Sequence, residues 1–470
     1  MAAIERRSFV QTAGITTGVL LSRRSASAQQ ESTASQPSLQ IAPFRFDVTP
    51  PLGHSLCGGW IQPAKEIEDP LEAIGFVLLG AGDPLVICSV DWTGLLNDAH
   101  RQWCQALAQA AGTSLDRVAV QCVHQHDAPF VCLDAQAIVA RHADLPPMFD
   151  VDFFHRCLDA GRAAVQQAIP KAMPLTHVGY GQSVVHQVAS NRRMENLTGR
   201  VASMRGSSSR DPVHQRLPEG LIDPYLKSIY FYSQRSRVAA CHYYACHPMS
   251  YYGRGGVSSD FCGLARKRRQ MDQPQCTHIY FNGCGGNIGA GRYNNASEVM
   301  RSVLAGRIYE AMVQAEQDAQ PQPIQTIHWN TQEFLPPPRT GWQQSELEQS
   351  IADASKGLTD RSRSAFILSW LRRYASGVPI LLSGLHLNDI SMLHLPSECF
   401  VEYQLRAQVS APQRFVACAA YGDGGPWYIP TSEAYPQGGY EVGVAWCEPT
   451  IDQLLSQSML ALLDDAQPQI

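Results

Sequence analysis

Ala73-Ile74-Gly75-Phe76-Val77-Leu78-Leu79, then Gly80-Ala81-Gly82-Asp83-Pro84, then Leu85-Val86-Ile87-Cys88-Ser89-Val90: two apolar, β-branched runs flank a cluster of turn residues. This pattern predicts strands at 73–79 and 85–90 joined by a tight connection. Leu95–Ala111 follows with helical periodicity, and Val118–Val123 is a third strand-like run. A hairpin leading into a helical crossover and another strand implies an α/β chain built on a mixed sheet flanked by helices.

The alternation continues outward. Phe153–Ala168 is helical in pattern, and Leu226–Tyr232 with Val238–Tyr244 reads as a hairpin followed by a strand at Thr277–Phe281. Helices are expected at Ser297–Ala315, at Ser345–Ala375 with a break near Gly357, and at Phe400–Ala407. Strands are expected at Ile380–Leu387, Ile390–Leu395 and Arg414–Ala420, and no internal repeat is visible.

Upstream, Arg6-Arg7-Ser8-Phe9-Val10, a weakly hydrophobic run from Ala13 to Leu21, and Ala26-Ser27-Ala28 form a twin-arginine export signal over residues 1–28. The competing reading is an anchor helix, but the apolar run falls well short of the roughly 20 residues a span requires. A periplasmic or secreted protein is the expectation. Residues 29–41, rich in Ser, Gln, Thr and Ala, read as a linker, leaving 42–470 as the folded domain.

Composition narrows the function. The chain of 470 residues is long enough for one large or two closely packed cores. Lys and Arg number 37 against 42 Asp and Glu, which argues against a nucleic-acid partner, since phosphate binding needs a basic face. With 44% hydrophobic and 17% charged residues, the composition is that of a buried globular enzyme. The 14 cysteines show no CxxC spacing and sit in apolar runs, so buried thiols are expected, with an occasional disulfide left open.

Four segments carry side chains suited to chemistry. Val123-His124-Gln125-His126-Asp127 ends a strand; on extended backbone residues i and i+2 share a face, so both imidazoles would look into one cleft. His247 follows the strand run in Tyr244-Ala245-Cys246-His247, with Cys246 expected to face away. Leu395-Pro396-Ser397-Glu398 places a carboxylate between a strand and a helix start, as a ligand, a base or a helix-dipole partner. Tyr421-Gly422-Asp423-Gly424-Gly425-Pro426-Trp427-Tyr428 and Gly438-Gly439-Tyr440 join glycines to aromatic rings that serve either as stacking surface or as core. Asp260 is read as a helix cap or as an orienting partner for a ligand histidine, and Asn282 as a cleft residue or a turn cap.

In order along the chain, Phe44–Pro51, His124-x-His126, Asn191-Arg192, His247, Ser259-Asp260-x-x-Gly263, Leu395-Pro396-x-Glu398 and the Tyr428/Tyr440 pair match one group. The chain resembles the neutral/alkaline non-lysosomal ceramidase family over residues 42–445, specifically that family's N-terminal metal domain. The resemblance implies a divalent ion, best matched by zinc with iron or manganese as alternatives, held by His124, His247, Glu398 and Tyr428. It also implies that His126 and Tyr440 meet the substrate or the transition state. Arg192 holds an anionic or hydroxylated part of the substrate, or makes an ion pair. Three departures stand out. Asp127-Ala128-Pro129-Phe130 replaces a glycine-rich run, Gly289 falls where the family has a serine, and the family's C-terminal β-sandwich is not expected here.

The implied reaction is attack by a metal-activated water on the carbonyl of an N-acyl compound, with His126 orienting that water or moving the proton. Tyr440 or a backbone N–H in Gly283–Asn287 would stabilise the oxyanion. Two other readings remain: a carbohydrate-active hydrolase or lyase on the same site, with Trp427, Tyr428 and Tyr440 against a sugar ring, and a non-catalytic binding protein with a structural ion.

Overall fold

Three sheets, of five, five and four strands, organise residues 39–464, the part of the chain described in the computed structural model. The expected export signal, residues 1–28, and residues 29–38 of the expected 29–41 linker lie outside the described residues. The first strand, Gln40–Asp47, already includes Gln40 and Ile41, which pair with Leu79 and Leu78, so the ordered ladder starts two residues earlier than composition suggests.

The first sheet runs in the order Val118–Cys122, Leu85–Val90, Glu72–Leu79, Gln40–Asp47, Met173–Pro174. The 72–79 and 85–90 strands are antiparallel, as the turn between them requires, whereas 85–90 and 118–122 are parallel. Leu85–Val90 is buried at every position, which fits a central strand covered on both faces and explains its unbroken apolar run. The second sheet orders Thr277–Asn282, Ser236–Tyr244, Tyr225–Ser233, His177–Val184, Gln322–Pro323, and the third Ile327–Phe334, Ile380–Leu387, Ile390–His394, Phe415–Ala419.

A shared apolar core joins the sheets, with Phe76 and Ile87 of the first packed with Phe231 and Ile279 of the second and Leu385 and Met392 of the third. The Phe76 and Phe231 rings lie 5.0 Å apart. Long helices cover the outer faces: Asp98–Ala111 and Val151–Ala168 pack on the first sheet, and Val299–Gln317 on the second. Ile451–Asp464 covers the third. Helix ends follow local chemistry. Asp150 Oδ1 accepts from the Phe153 amide at 3.1 Å to start the 151–168 helix, and Gly112, at φ 70°, ends the 98–111 helix in a left-handed turn.

Each sheet holds one parallel pair: 85–90 with 118–122, 236–244 with 277–282, and 390–394 with 415–419. Their C-terminal ends meet, and buried polar side chains stitch them. Gln121 Nε2 donates to the Leu395 and Ala419 carbonyls at 2.9 and 3.1 Å, and Ser89 Oγ donates to the Tyr280 carbonyl at 2.6 Å. Lys227 Nζ donates to the Val416 carbonyl at 2.9 Å. In α/β proteins the carboxyl ends of parallel strands are where ligands bind. Here three such ends converge.

One local expectation is corrected: the 95–111 run opens with a short strand, Gly94–Leu96, before its helix. The 345–375 run breaks at Gly357 as expected, into Gln344–Ala352 and Leu358–Ala375. All 14 cysteines are buried free thiols. Among the described residues, no helix is long and apolar enough to cross a membrane.

Candidate metal centre

His124 follows the first sheet's parallel pair, His247 the second's, and Glu398 the third's, so each arm of the site leaves a different sheet. Glu398 pairs with Tyr428 in a short parallel bridge, which brings the fourth expected ligand alongside the third. Asn282, neither cleft residue nor turn cap, is fully buried between two arms. Its Nδ2 donates to the Val123 carbonyl at 3.2 Å and its Oδ1 accepts from the Cys246 amide at 3.3 Å. It thereby fixes the residues immediately before both histidines.

The expected alternation along His124-Gln125-His126 does not hold. The strand stops at Cys122, and His124 has φ 75°, a left-handed conformation no strand contains. The two imidazoles nevertheless converge, with ring centroids 5.1 Å apart, because the turn redirects the backbone. Ser397 and Trp427, immediately before Glu398 and Tyr428, and Tyr421, stacked on His124, also have positive φ. A non-glycine residue held this way costs on the order of 1–3 kcal/mol, and such strain gathers where side-chain placement matters more than stability.

His124 Nδ1 faces the Thr93 carbonyl at 2.7 Å, and His247 Nδ1 faces the Gly285 carbonyl at 2.7 Å. A carbonyl only accepts, so each Nδ1 carries the proton and each Nε2 presents a lone pair. Both lone pairs point at one carboxylate oxygen, Glu398 Oε2, at 3.2 Å from His124 Nε2 and 3.0 Å from His247 Nε2. Tyr428 adds its hydroxyl 3.3 Å from His247 Nε2. His124 Nε2, His126 Nε2 and Glu398 Oε2 are buried without a hydrogen-bond partner. Buried acceptors left facing one another are costly unless something positive lies between them. The nitrogen and oxygen donors present fit a divalent ion of the zinc type. The ligand atoms of His124, His126 and His247 lie within 4.8 Å of one another.

No protein-family model and no curated protein sequence matches the chain. Among solved structures, the neutral ceramidase from Pseudomonas aeruginosa superposes with a TM-score of 0.66 at 17% identity, covering 91% of this chain and 75% of that one. A ceramidase complexed with C2 gives a TM-score of 0.66 at 16% identity over 91% and 76%. The chain has the neutral ceramidase fold.

Within this ceramidase-like fold, burial and the neighbouring side chains together set the charge of the site. For Glu398, burial alone would raise the carboxyl, but the adjacent His124 and His247 rings outweigh it and hold it well below the usual carboxylate range. Burial, opposed by Glu398 and reinforced by Arg192, pulls His247 down to about 4, and burial beside the other two histidines pulls His126 well below its ordinary value. At neutral pH His126 and His247 are therefore neutral imidazoles beside a carboxylate, the protonation state that binds metal. Burial and then Glu398 push the Tyr428 phenol well above its ordinary value.

Arg192, expected either to meet substrate or to make an ion pair, is buried in the site. Its Nη1 lies 3.3 Å from the Tyr428 hydroxyl and 3.5 Å from His247 Nε2, and its Nε is 3.5 Å from Glu441 Oε1. Glu441 is fully buried and also meets Arg193 Nη1 at 3.2 Å. Tyr440 is 46% exposed, with its ring edge-on to Tyr428 at 5.8 Å and beneath the Arg192 guanidinium at 5.7 Å, so it stands at the mouth.

Three readings left open by the sequence are narrowed. Trp427 is 6% exposed and packs among Trp60, Phe130, Phe366 and Trp446, which makes it core and removes it as a stacking platform. The amides of Gly283, Cys284 and Gly286 are committed to the Tyr244 carbonyl, Gln404 Oε1 and the Cys399 carbonyl, so they are not oxyanion donors. Asp260 is the first residue of the 260–272 helix, at φ 47°, and its carboxylate accepts from the Ser250 amide and from the Phe261 amide of the helix's first turn. Cys246 packs with Phe261 and Tyr280 in an apolar cluster; the strand ends at Tyr244, so this packing, and not strand alternation, holds it there.

The sequence reading missed Tyr421, stacked on His124 at 4.4 Å with a buried, unpartnered hydroxyl. It also missed Cys57, whose Sγ is 3.7 Å from His126 Nδ1, and Tyr252, 44% exposed and edge-on to His126 at 5.2 Å. Glu441 was signalled only by its place beside Tyr440. Behind His124 and Glu398, a cavity of about 20 Å³ reaches Tyr421 and Trp427. That is room for roughly one water.

Proposed function

We propose that this protein is an exported, metal-dependent hydrolase that cleaves the amide bond of an N-acyl compound. The observation that carries the reading is the convergence of His124 Nε2 and His247 Nε2 on Glu398 Oε2, with both Nδ1 atoms tied to backbone carbonyls. The solved neutral ceramidases with this fold supply the substrate class, and the twin-arginine sequence at Arg6-Arg7 supports export.

His124, His247, Glu398 and Tyr428 would hold the ion. A divalent ion in such a site supplies Lewis acidity and lowers the pKa of a coordinated water to about 7. The protein's own groups do the rest. His126, beside the ligands, takes a proton from the attacking water at Nε2 and returns it to the departing nitrogen. Tyr440 donates its hydroxyl to the carbonyl oxygen as negative charge develops. Arg192, anchored on Glu441, fixes the Tyr428 hydroxyl and keeps positive charge beside the oxyanion.

Two half-exposed rings, Tyr252 and Tyr440, flank the cluster and would also suit a sugar ring, which keeps the carbohydrate reading as the rival. A structural ion alone gives no use to His126 Nε2, buried without a partner beside the ligand atoms. The deciding experiment is metal analysis of purified protein with a screen of N-acyl amides and glycosides, with and without chelator. Roughly one ion per chain, amide cleavage lost with chelator, and loss of both ion and activity in His247→Ala are expected. Full metal occupancy in His247→Ala, or activity in metal-free protein, would overturn the assignment. Glycoside cleavage alone would replace the substrate class.

A further inference from the structure

Trp60 is a fixed aromatic plate near the histidine cluster. The turn Cys57–Gly59 starts with the Cys57 thiol 3.7 Å from His126 Nδ1 and leads directly into it. The Trp60 indole Nε1 donates to Ser362 Oγ at 2.8 Å, and its ring meets Phe366 at 5.8 Å and Trp427 at 5.5 Å. Ser362 and Phe366 belong to the helix Leu358–Ala375, and between them Arg363 lays its guanidinium over Trp60, 5.7 Å from the ring centre. Residues i and i+3 share a helix face, so half-buried Arg363 stands one turn before fully buried Phe366, where the core gives way to solvent.

Arg363 differs from its neighbours in having no anion to neutralise it. Arg192 and Arg193 share Glu441, and Arg254, two residues from Tyr252, pairs with Glu298. Among the described residues, Arg363 has no carboxylate partner and no hydrogen bond, and its contact is the Trp60 ring. A guanidinium with unused donors meets a planar anion through two parallel N–H bonds. Tyr440 relates this cation to the reaction. Burial and Glu398 raise that phenol, while Arg192 and Arg363 act against them. Arg363 is thus within electrostatic reach of the hydroxyl that, in the proposed reaction, meets the carbonyl oxygen. A Cβ added to Gly253, beside Tyr252, would lie 3.6 Å from the Ile61 side chain, so the Trp60–Ile61 segment borders the Tyr252 loop as well.

Resting on the proposed hydrolase reading, we infer that Arg363 and Trp60 form a subsite for a carboxylate on the substrate, which makes the N-acyl compound an N-acyl amino acid. A carboxylate one carbon from the amide nitrogen cannot stray far from the scissile carbonyl. With the carbonyl oxygen at Tyr440, that carboxylate falls to the neighbouring guanidinium, and the apolar part of the amino acid lies against Trp60. A neutral alcohol in the same place leaves the guanidinium without its partner, so the subsite discriminates by charge.

The test pairs N-octanoylglycine with N-octanoylethanolamine, which share an acyl chain and differ in carboxylate against hydroxyl. Zinc-loaded wild type should favour the glycine compound about tenfold or more in kcat/KM. Arg363→Met, which keeps an unbranched stem over Trp60, should lower that ratio about tenfold or more, mainly through KM, with zinc content as in wild type. Arg363→Lys should fall between the two. Added salt should weaken the preference in wild type and not in Arg363→Met. A wild-type ratio near one, a ratio that Arg363→Met leaves unaltered, or zinc lost from that variant overturns the subsite. Isothermal titration of N-octanoylglycine into both zinc-loaded forms separates the two readings. Tighter binding to wild type without any cleavage overturns the hydrolase and keeps the subsite, whereas equal binding to both forms overturns the subsite.

Discussion

His124 Nε2 and Glu398 Oε2 face each other across 3.2 Å, both buried, with no hydrogen bond between them. The two residues follow strands of different sheets, so an ion held between them, as proposed, would tie the folded state together as well as serve chemistry. Removing it should lower thermal stability. An ion present at about a thousand times its Kd stabilises by about 4 kcal/mol. Differential scanning calorimetry of chelated and zinc-restored protein should show a lower Tm without zinc, and the difference should vanish in His247→Ala. A chelated protein melting at the same temperature as the loaded one would count against ion binding here.

Asn282 bridges the Val123 carbonyl and the Cys246 amide. Asn282→Ala strands one buried acceptor and one buried donor, at about 1–3 kcal/mol each. Urea denaturation should show that loss, and isothermal titration should show weaker zinc binding, because both histidines lose their backbone reference. Asn282→Asp should be as damaging, since a carboxylate cannot donate to Val123.

Glu441 lies fully buried between Arg192 and Arg193. Breaking a buried ion pair by removing one partner typically costs about 3–5 kcal/mol. Glu441→Ala should fall in that range in chemical denaturation and lower kcat/KM on the amide substrate. Glu441→Gln should retain more stability than Ala. If both variants matched wild type in kcat/KM, Arg192 would not depend on Glu441 for its position.

His394 has neither ring nitrogen hydrogen-bonded and sits near Phe281 and Trp329. Burial pushes its pKa down to about 3, against about 6.5 in an unfolded chain. Between these values the unfolded state binds a proton that the folded state refuses. The contribution to stability is therefore full above about pH 6.5 and is lost as pH falls toward 3, with a limiting slope of about 1.4 kcal/mol per pH unit. His394→Leu should be neutral or stabilising at pH 7 and should reduce the acid slope by about one proton. Urea titrations at pH 7, 5.5 and 4.5 measure both; an unchanged slope would mean that His394 is protonated in the native protein.

Elements whose periodicity matches their burial were legible in the sequence. Leu85–Val90 has its observed bounds, and the hairpin Tyr225–Ser233 with Ser236–Tyr244 is extended by one residue or so at its ends. Ile327–Phe334 escaped because it is an edge strand, half exposed and carrying His, Asn, Gln and Glu, which removes the apolar signal. The division into three sheets was not legible either, since strand order depends on contacts remote in sequence. At the site, His124, His247, Glu398 and Tyr428 were recognisable from their order, and the structure brings all four together. Their supports were not. The carbonyls of Thr93 and Gly285 are 31 and 38 residues from the rings they hold, and a carbonyl has no residue identity to read. The left-handed turn at His124 likewise leaves no mark in a non-glycine residue.

Because the three parallel strand pairs present their ends to one point, the centre behaves as a tripod with no spare leg. Small slippage of any one sheet displaces a donor atom directly, before the apolar core between the sheets is breached. Affinity for the ion should therefore soften on warming ahead of global melting, and substitutions far from the centre, in the strands of any sheet, should register first as altered metal exchange.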